Sequence, residues 1–444
     1  MVALIKILQV ILALSILIIF HELGHFTFAK LFRIRVDKFF LFFDAGKFFI
    51  FSTKRSKWFT RLFPRAKDWE TEYGIGWLPL GGYCKIAGMI DESVDTEQLR
   101  QPPQPWEFRT HKAWQRLLVM AGGVLYNFIF AVIVYIAIAA LWGQTYIGNS
   151  GSKIYPNALA REMGFLPGDE ILAFDDYEPQ NFGMLQADLV RRKAKTARLL
   201  RGGDTLTLYI DGAMTGRILN SEAMFDLAVP FTVDSVATDS PNKTLRRGDR
   251  IIALGDRRVE FVQDSRELLA SLAGGSAEAS LVRGADTLSI PLQVDSVGRI
   301  GVYMQAPNII SESYNIAEAV PAGLKLTGKS IKGYLQDLRL LATPSTGAYK
   351  SVGSFIAIGQ VFPSTWNWYG FMYILALLSI MLGVMNLLPI PALDGGHIVF
   401  TLYEMISGRK PSDRFMLAAQ WVGMFLLVLL MMLAFGNDIG RLIN

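Results

Sequence analysis

One stretch constrains this chain before any other, an apolar run that ends in charge. From Ala3 to Phe20 the only polar residues are Lys6, Gln9 and Ser15. A helix of that composition is long enough to enter a bilayer. It runs directly into His21-Glu22-Leu23-Gly24-His25. Ionisable groups inside or against hydrocarbon are costly, and by default they mark function. On a helix, His21 and His25 share a face one turn apart. That spacing can hold a zinc ion at roughly 2.0–2.1 Å, with Glu22 beside it as general base. Zinc lowers the pKa of a bound water to about 7. The bland alternative is two satisfied helix histidines with a capping glutamate, and the apolar setting counts against it.

A catalytic zinc needs a third protein ligand and an open position. A second strongly apolar run, Trp368 to Leu388, stops in Asn386-Leu-Leu-Pro-Ile-Pro-Ala-Leu-Asp394-Gly-Gly-His397. Pro389 and Pro391 cannot continue an ordinary helix, so the backbone breaks at membrane depth. Broken backbone is tolerated there only where protein buries it or a wet cavity receives it. Asp394 is the carboxylate carried into that place. It also reads as a helix cap after a turn, and His397 is a rival third ligand.

These residues resemble the site-2 protease family of intramembrane zinc metalloproteases, in the bacterial regulator-of-sigma-E branch. The likeness rests on His21-Glu-Leu-Gly-His25 in the first span and on Asn386 with Leu393-Asp394-Gly395 in a late one. It implies His21, His25 and Asp394 as zinc ligands, Glu22 as catalytic base, and Asn386 as a residue that helps bind the substrate helix.

Composition agrees with a membrane protein: 51% of the 444 residues are hydrophobic and the mean hydropathy is +0.31. The single cysteine, Cys84, excludes an internal disulfide framework and reads as a small buried residue. The net charge of +5 is modest and unevenly placed, which points to topology and away from nucleic acid. The first segment lacks a small-residue cleavage site and carries the candidate ligands at its end, so it is not read as a signal peptide.

Four spans are expected, near Val2–Phe20 continuing through the histidine motif, Leu117–Trp142, Trp368–Leu388 and Met416–Phe435. The loop after the first is rich in Lys and Arg, from Lys30 to Lys67, and Arg409, Lys410 and Arg414 lie between the last two. Positive-inside bias places both loops in the cytoplasm. The segment between the second and third spans, and both termini, then face outward. The histidine motif and Asp394 arrive at one level, toward the cytoplasmic side.

Between the first two spans, Phe39–Phe43 and Phe48–Phe51 read as strands or hairpins at the membrane surface. Tyr73-Gly-Ile-Gly-Trp-Leu-Pro-Leu-Gly-Gly-Tyr-Cys-Lys then reads as a tight hairpin with an exposed edge. Such an edge can accept an unwound peptide as an added strand. The family has a glycine-rich hairpin here, so the resemblance implies substrate contacts at Gly74, Gly76, Leu80, Gly81 and Gly82. Cys84 stands where an aliphatic residue is usual in it. The acidic stretch 91–97 reads as a solvated connection, and His111 as a surface residue. In the second span, Ala121-Gly-Gly suits close helix packing, and Asn127 suits a hydrogen bond across helices.

The outward segment repeats itself. Gly164-Phe-Leu-Pro-Gly168-Asp169-Glu-Ile-Leu-Ala-Phe174 recurs as Thr244-Leu-Arg-Arg-Gly248-Asp249-Arg-Ile-Ile-Ala-Leu254. A Gly-Asp turn leading into alternating aliphatics marks a strand. The pair looks like tandem PDZ domains, at 146–226 and 227–306, and by resemblance acts as a size filter. The approach to the second Gly-Asp turn is less apolar, which puts a peptide site there in doubt. A ragged apolar stripe over 315–343 suits an interfacial helix.

The expected fold is thus a multi-pass α-helical membrane protein of about four transmembrane helices, with a membrane-associated β-hairpin region and two tandem β-rich PDZ domains. Its segments are 1–30 (first span with the zinc motif), 31–113 (cytoplasmic-side hairpins), 114–145 (second span), the two PDZ domains, 307–364 (interfacial helix and linker), 365–400 (third span with the Leu-Asp-Gly motif), 401–415 (cytoplasmic loop) and 416–436 (fourth span). The resemblance implies a zinc endopeptidase of the bacterial inner membrane, with periplasmic PDZ domains. Its substrates would be single-span proteins, anti-sigma factors or signal-peptide remnants, trimmed beforehand by a periplasmic protease. Two alternatives stand beside it. One is a different multi-span His-Glu-x-x-His protease, such as a prenyl-protein endopeptidase, which takes a Glu as third ligand and lacks PDZ repeats. The other is a non-catalytic PDZ scaffold, whose structural zinc would call for four ligands where three good ones are present.

Overall fold

The computed structural model describes residues 2–79, 81–89, 102–305 and 308–443. Leu80 and the acidic stretch 91–97 lie outside the described residues. The chain divides into two compact units. One comprises 1–143, 313–335 and 352–444, and the other 144–312 and 336–351.

Among the described residues, four helices are long and apolar enough to cross a membrane: Val2–Leu31, Ala113–Trp142, Trp368–Leu387 and Arg414–Gly440. The first two pack through backbone. A Cβ built on Gly24 would lie 2.1 Å from the Gly122 carbonyl oxygen, and one on Gly122 2.6 Å from that of Gly24. Small residues therefore set the helix approach, as the Ala121-Gly-Gly segment predicts. The third span ends where Pro389 and Pro391 remove backbone donors. The helix breaks over 388–393, with Ala392 at φ +87°, and resumes as the helix Asp394–Ser407, which continues along the second span toward its start, from Ser379 at Asn127 to Glu404 at Arg116. That helix corrects the expected loop 401–415: its apolar residues Ile398, Val399, Phe400, Leu402 and Tyr403 sustain helix as far as Ser407.

Between the first two spans lies a four-stranded sheet of β1 (Val36–Leu41), β2 (Phe49–Ser52), β3 (Glu72–Gly76) and β4 (Tyr83–Ile86), in the order β2-β3-β1-β4. This corrects the hairpin expectation. β1 runs parallel to β3, with Phe39 opposite Tyr73, and antiparallel to β4, with Phe40 opposite Tyr83. β3 and β4 are therefore not a hairpin, because β1 lies between them. Gly74 and Gly76 sit on an interior strand and cannot offer a free edge. They are small for packing: a Cβ on Gly74 would lie 2.3 Å from the Phe40 ring, and one on Gly76 2.3 Å from the Phe43 carbonyl carbon. Among the described residues, β4 is an edge strand of this sheet, next to β1. Cys84 is buried, and burial pushes its thiol up, which suits an inert packing residue. His111 is half-buried and its two ring nitrogens face the Glu107 and Phe32 carbonyls at 2.9 and 3.1 Å, which corrects its reading as a surface residue.

The long helix Ile316–Leu341 also departs from a purely interfacial element. Ala319 and Ala322 pack with Ala139 of the second span, and Tyr135 and Ser330 share a hydrogen bond of 3.0 Å. Before the third span a short helix, Phe355–Val361, forms. Ser354 and the buried Asp438 cap it, the carboxylate accepting from the Ser354 backbone N–H at 2.8 Å.

The second unit holds two similar halves. Each has a Gly-Asp turn entering a strand that pairs antiparallel in a small sheet: Glu170–Phe174 with Thr196–Arg201 and Asp204–Tyr209, then Arg250–Leu254 with Ser276–Arg283 and Asp286–Gln293. Each closes its own core, one around Phe165, Ile171 and Phe174 and the other around Phe231, Ile251 and Leu281. The unit's limits differ from the expected 146–306. Strand Ile309–Glu312 returns to pair with Gln144–Ile147, and Leu340 enters the first core.

Candidate metal centre

The first span continues unbroken through its histidines to Leu31. His21 and His25 therefore project from one face, with their Nε2 atoms 3.3 Å apart. The break at 388–393 brings in Asp394, whose Oδ2 lies 3.4 Å from each histidine Nε2. Glycines allow the close packing at that break. A Cβ on Gly395 would lie 2.1 Å from the Leu388 carbonyl oxygen, and one on Gly396 2.7 Å from that of Ile390.

Three donor atoms thus form a nearly equilateral triangle. Ligands at 2.0–2.1 Å in a tetrahedron stand about 3.3–3.4 Å apart, so the triangle has the edge a zinc ion requires. Hydrogen bonding supports the fit. Asp394 Oδ2 is buried without a hydrogen-bond partner, a costly state for a carboxylate unless a cation faces it. His25 donates from Nδ1 to the Val119 carbonyl at 2.8 Å, which leaves Nε2 as a lone pair aimed at Asp394. The Asn127 side-chain amide lies 3.0 Å from His21 Nδ1. With its oxygen turned toward that nitrogen, it accepts the proton and frees His21 Nε2 in the same way. Asn127 is itself held, since Ser379 donates to its backbone carbonyl at 2.8 Å.

The residues singled out in the sequence meet here unequally. Among the described residues, the one group of metal-ligating side chains that converges is His21, His25 and Asp394. The rival His397 is not in it and lines a cavity with Arg116 and Glu404. Glu22 is half-buried next to the triangle. Asn386 brings its amide to 3.4 Å from His21 Nε2. Gly82 lies by the first span, where a Cβ would meet Ile18 at 2.4 Å.

Gly123 escaped the sequence reading as a site residue. A Cβ there would lie 2.5 Å from His25 Nε2 and 2.6 Å from His21 Cε1. Only glycine leaves room for both rings. A signal existed, because Gly123 and Asn127 are one turn apart and so share the face turned to the histidines.

The model of peptidase family M50 matches residues 9–430. A Xylella fastidiosa protein named a zinc metalloprotease is 26% identical, covering 97% of each chain. A Neisseria meningitidis protein of the same description is 28% identical over 98% of this chain and 99% of its own. The regulator of sigma-E protease of Escherichia coli is 28% identical over 97% of this chain and 98% of its own. Matched over nearly its whole length, the chain belongs to peptidase family M50 and is a zinc-dependent intramembrane metalloprotease.

Proposed function

We propose that His21, His25 and Asp394 are the zinc ligands and that Glu22 is the general base. The substrate is the membrane-spanning segment of a single-span protein. The observation that carries the ligand assignment is the orphaned Asp394 Oδ2 held 3.4 Å from two histidine nitrogens. When bound, zinc supplies a Lewis acid that activates water and polarises the scissile carbonyl. The Glu22 carboxylate takes the proton from the attacking water and returns it to the leaving amine. The Val119 carbonyl and Asn127 keep the two imidazoles in one tautomer and orientation. Asn386, a donor beside His21, holds the substrate backbone near the cut.

A helical amide is shielded by its own hydrogen bonds, so the substrate must unwind first. The β4 edge, the end of the sheet among the described residues, suits that task, because an extended peptide can join it as a further strand. Gly81 and Gly82 lead into that edge, and with Leu80 they form the substrate-contact reading that remains. Gly74 and Gly76 support it from the sheet interior.

The Escherichia coli relative is named a regulator of sigma-E protease. On that likeness the substrates are anti-sigma factors, or leftover signal peptides, trimmed outside by an upstream protease. The protein would lie in the inner membrane with the zinc site toward the cytoplasm, as the basic loops indicate. The two repeats, read as PDZ domains facing the periplasm, act as a size filter that excludes bulky outer domains.

The test pairs wild type with Glu22→Gln in detergent and follows zinc content together with cleavage of a model single-span substrate. Both proteins should hold about one zinc, and the variant should cut about 10²–10⁴-fold more slowly. A variant that cuts as fast as wild type removes Glu22 from the mechanism. Zinc in both without cleavage by either favours the scaffold.

A further inference from the structure

The Asp394 side chain is carried by a helix that is not continuous with the third span. The segment 388–393 between them is irregular, and Ala392 sits at φ +87°. Toward the second span the Asp394 helix packs through apolar contact, with Ile398 on the cluster that contains Val119 and Met120. Apolar contact alone specifies register weakly, and a polar contact adds direction to it. Glu404 receives a hydrogen bond from Arg116, a residue of the second span with an 8% exposed side chain. Arg116 is itself fixed. Its Nε donates to the His111 carbonyl at 3.1 Å, and its guanidinium lies 5.9 Å from the centre of the Phe108 ring. The nearby Arg109 is engaged by Glu107 at 2.6 Å.

We propose that the Arg116–Glu404 pair is a positioning clamp. It fixes the register of the Asp394 helix on the second span and thereby holds Asp394 at the two histidines. This rests on the zinc-ligand reading above. The lengths agree. Glu404 lies about 15 Å along its helix from Asp394, and Gly123 and Asn127 lie about 10–17 Å along the second span from Arg116. The second span therefore touches both halves of the centre. It orients the histidines through Val119, Gly123 and Asn127, and it orients the carboxylate through Arg116. Arg116 is buried and Glu404 half-buried; a largely desolvated ion pair stabilises little compared with packed apolar residues, and its attested use is to specify one arrangement among several. Arginine suits the role, because its planar fork fixes direction as well as distance.

Zinc affinity of the full-length protein in detergent, measured by chelator competition, tests this. Thermal melting of the metal-free protein is followed alongside. Glu404→Gln should bind zinc roughly 10–100-fold more weakly, as loss of a ligand-orienting contact does. Glu404→Asp keeps the charge and draws the helix by one methylene, so it should lose less. Exchanging the partners, Arg116→Glu with Glu404→Arg, should recover part of the loss. Variants that melt lower but bind zinc as wild type does overturn the clamp and leave the pair a purely structural role. If Glu404→Gln does not fold, Glu404→Asp decides by the same criterion. A wild type that binds no zinc overturns the ligand assignment, and the clamp with it. A wild type that binds zinc beside unaffected variants overturns the clamp alone.

Discussion

Two buried aspartates of the Gly-Asp repeats and one of the His21–His25–Asp394 cluster share a residue type and differ in how they are satisfied. Asp169 and Asp249 are both 0% exposed. Asp169 accepts two hydrogen bonds from Arg201 at 2.7 and 2.8 Å and one from the Leu166 backbone at 2.8 Å. Asp249 repeats the pattern with Arg283 at 2.7 and 2.6 Å and the Arg246 backbone at 2.8 Å. Both follow a glycine in the left-handed region, Gly168 at φ +90° and Gly248 at φ +89°. Asp394 has no such donor for Oδ2. The lesson is that burial alone does not distinguish a structural carboxylate from a functional one. Whether its lone pairs are already taken does.

The largest effect should come from inverting the two kinds. Asp394→Asn should abolish tight zinc binding, beyond the roughly 100-fold loss of an outer-shell change. It should also leave the metal-free protein at least as stable, since it removes an unsatisfied charge. Asp169→Asn should do the reverse, costing about 3 kcal/mol of stability in the repeat unit while zinc content stays unchanged. Calorimetry and metal analysis of both variants would erase the contrast if they behaved alike.

Gly123→Ala comes next. Its methyl group would overlap both imidazoles, so zinc content should fall sharply while the circular dichroism of the spans persists. Normal zinc content in that variant would show that the second span yields more easily than close-packed helices do.

The smallest effect is one of pH. The Arg283 guanidinium beside Asp249 holds its carboxyl below the usual 3.8. A depressed folded-state pKa contributes stability that is present above the unfolded value and lost as pH falls through the folded one. Melting of wild type should therefore decline below about pH 4, and Asp249→Asn should show a flatter acid limb. Equal acid limbs would mean that the pair is not what the turn depends on.

Much of the repeat was legible, and more than the Gly-Asp turns. Leu199-Leu-Arg201-Gly-Gly-Asp-Thr-Leu206 and Leu281-Val-Arg283-Gly-Ala-Asp-Thr-Leu288 place the partner arginines at matching points. The zinc triangle was half legible. His21 and His25 are fixed by helical spacing, whereas the choice between Asp394 and His397 turned on a helix break, 388–393, whose path periodicity does not describe. The β1–β4 sheet misled because adjacent strands with glycines between them suggest a hairpin. The parallel pairing of β1 with β3 is a long-range event with no local turn signal.

By itself the sequence determined the membrane spans, the two-histidine face, the Gly-Asp repeat and the small-residue crossing of the first two helices. Each is a local or periodic property that hydrophobicity and helix geometry impose. Only the tertiary structure decided that Asp394 joins the two histidines, that Gly123 and Asn127 line them, that β4 is an edge strand among the described residues, and that Arg116 reaches Glu404. Each of these pairs residues far apart in the chain, and no local propensity specifies such a pairing until the helices have packed.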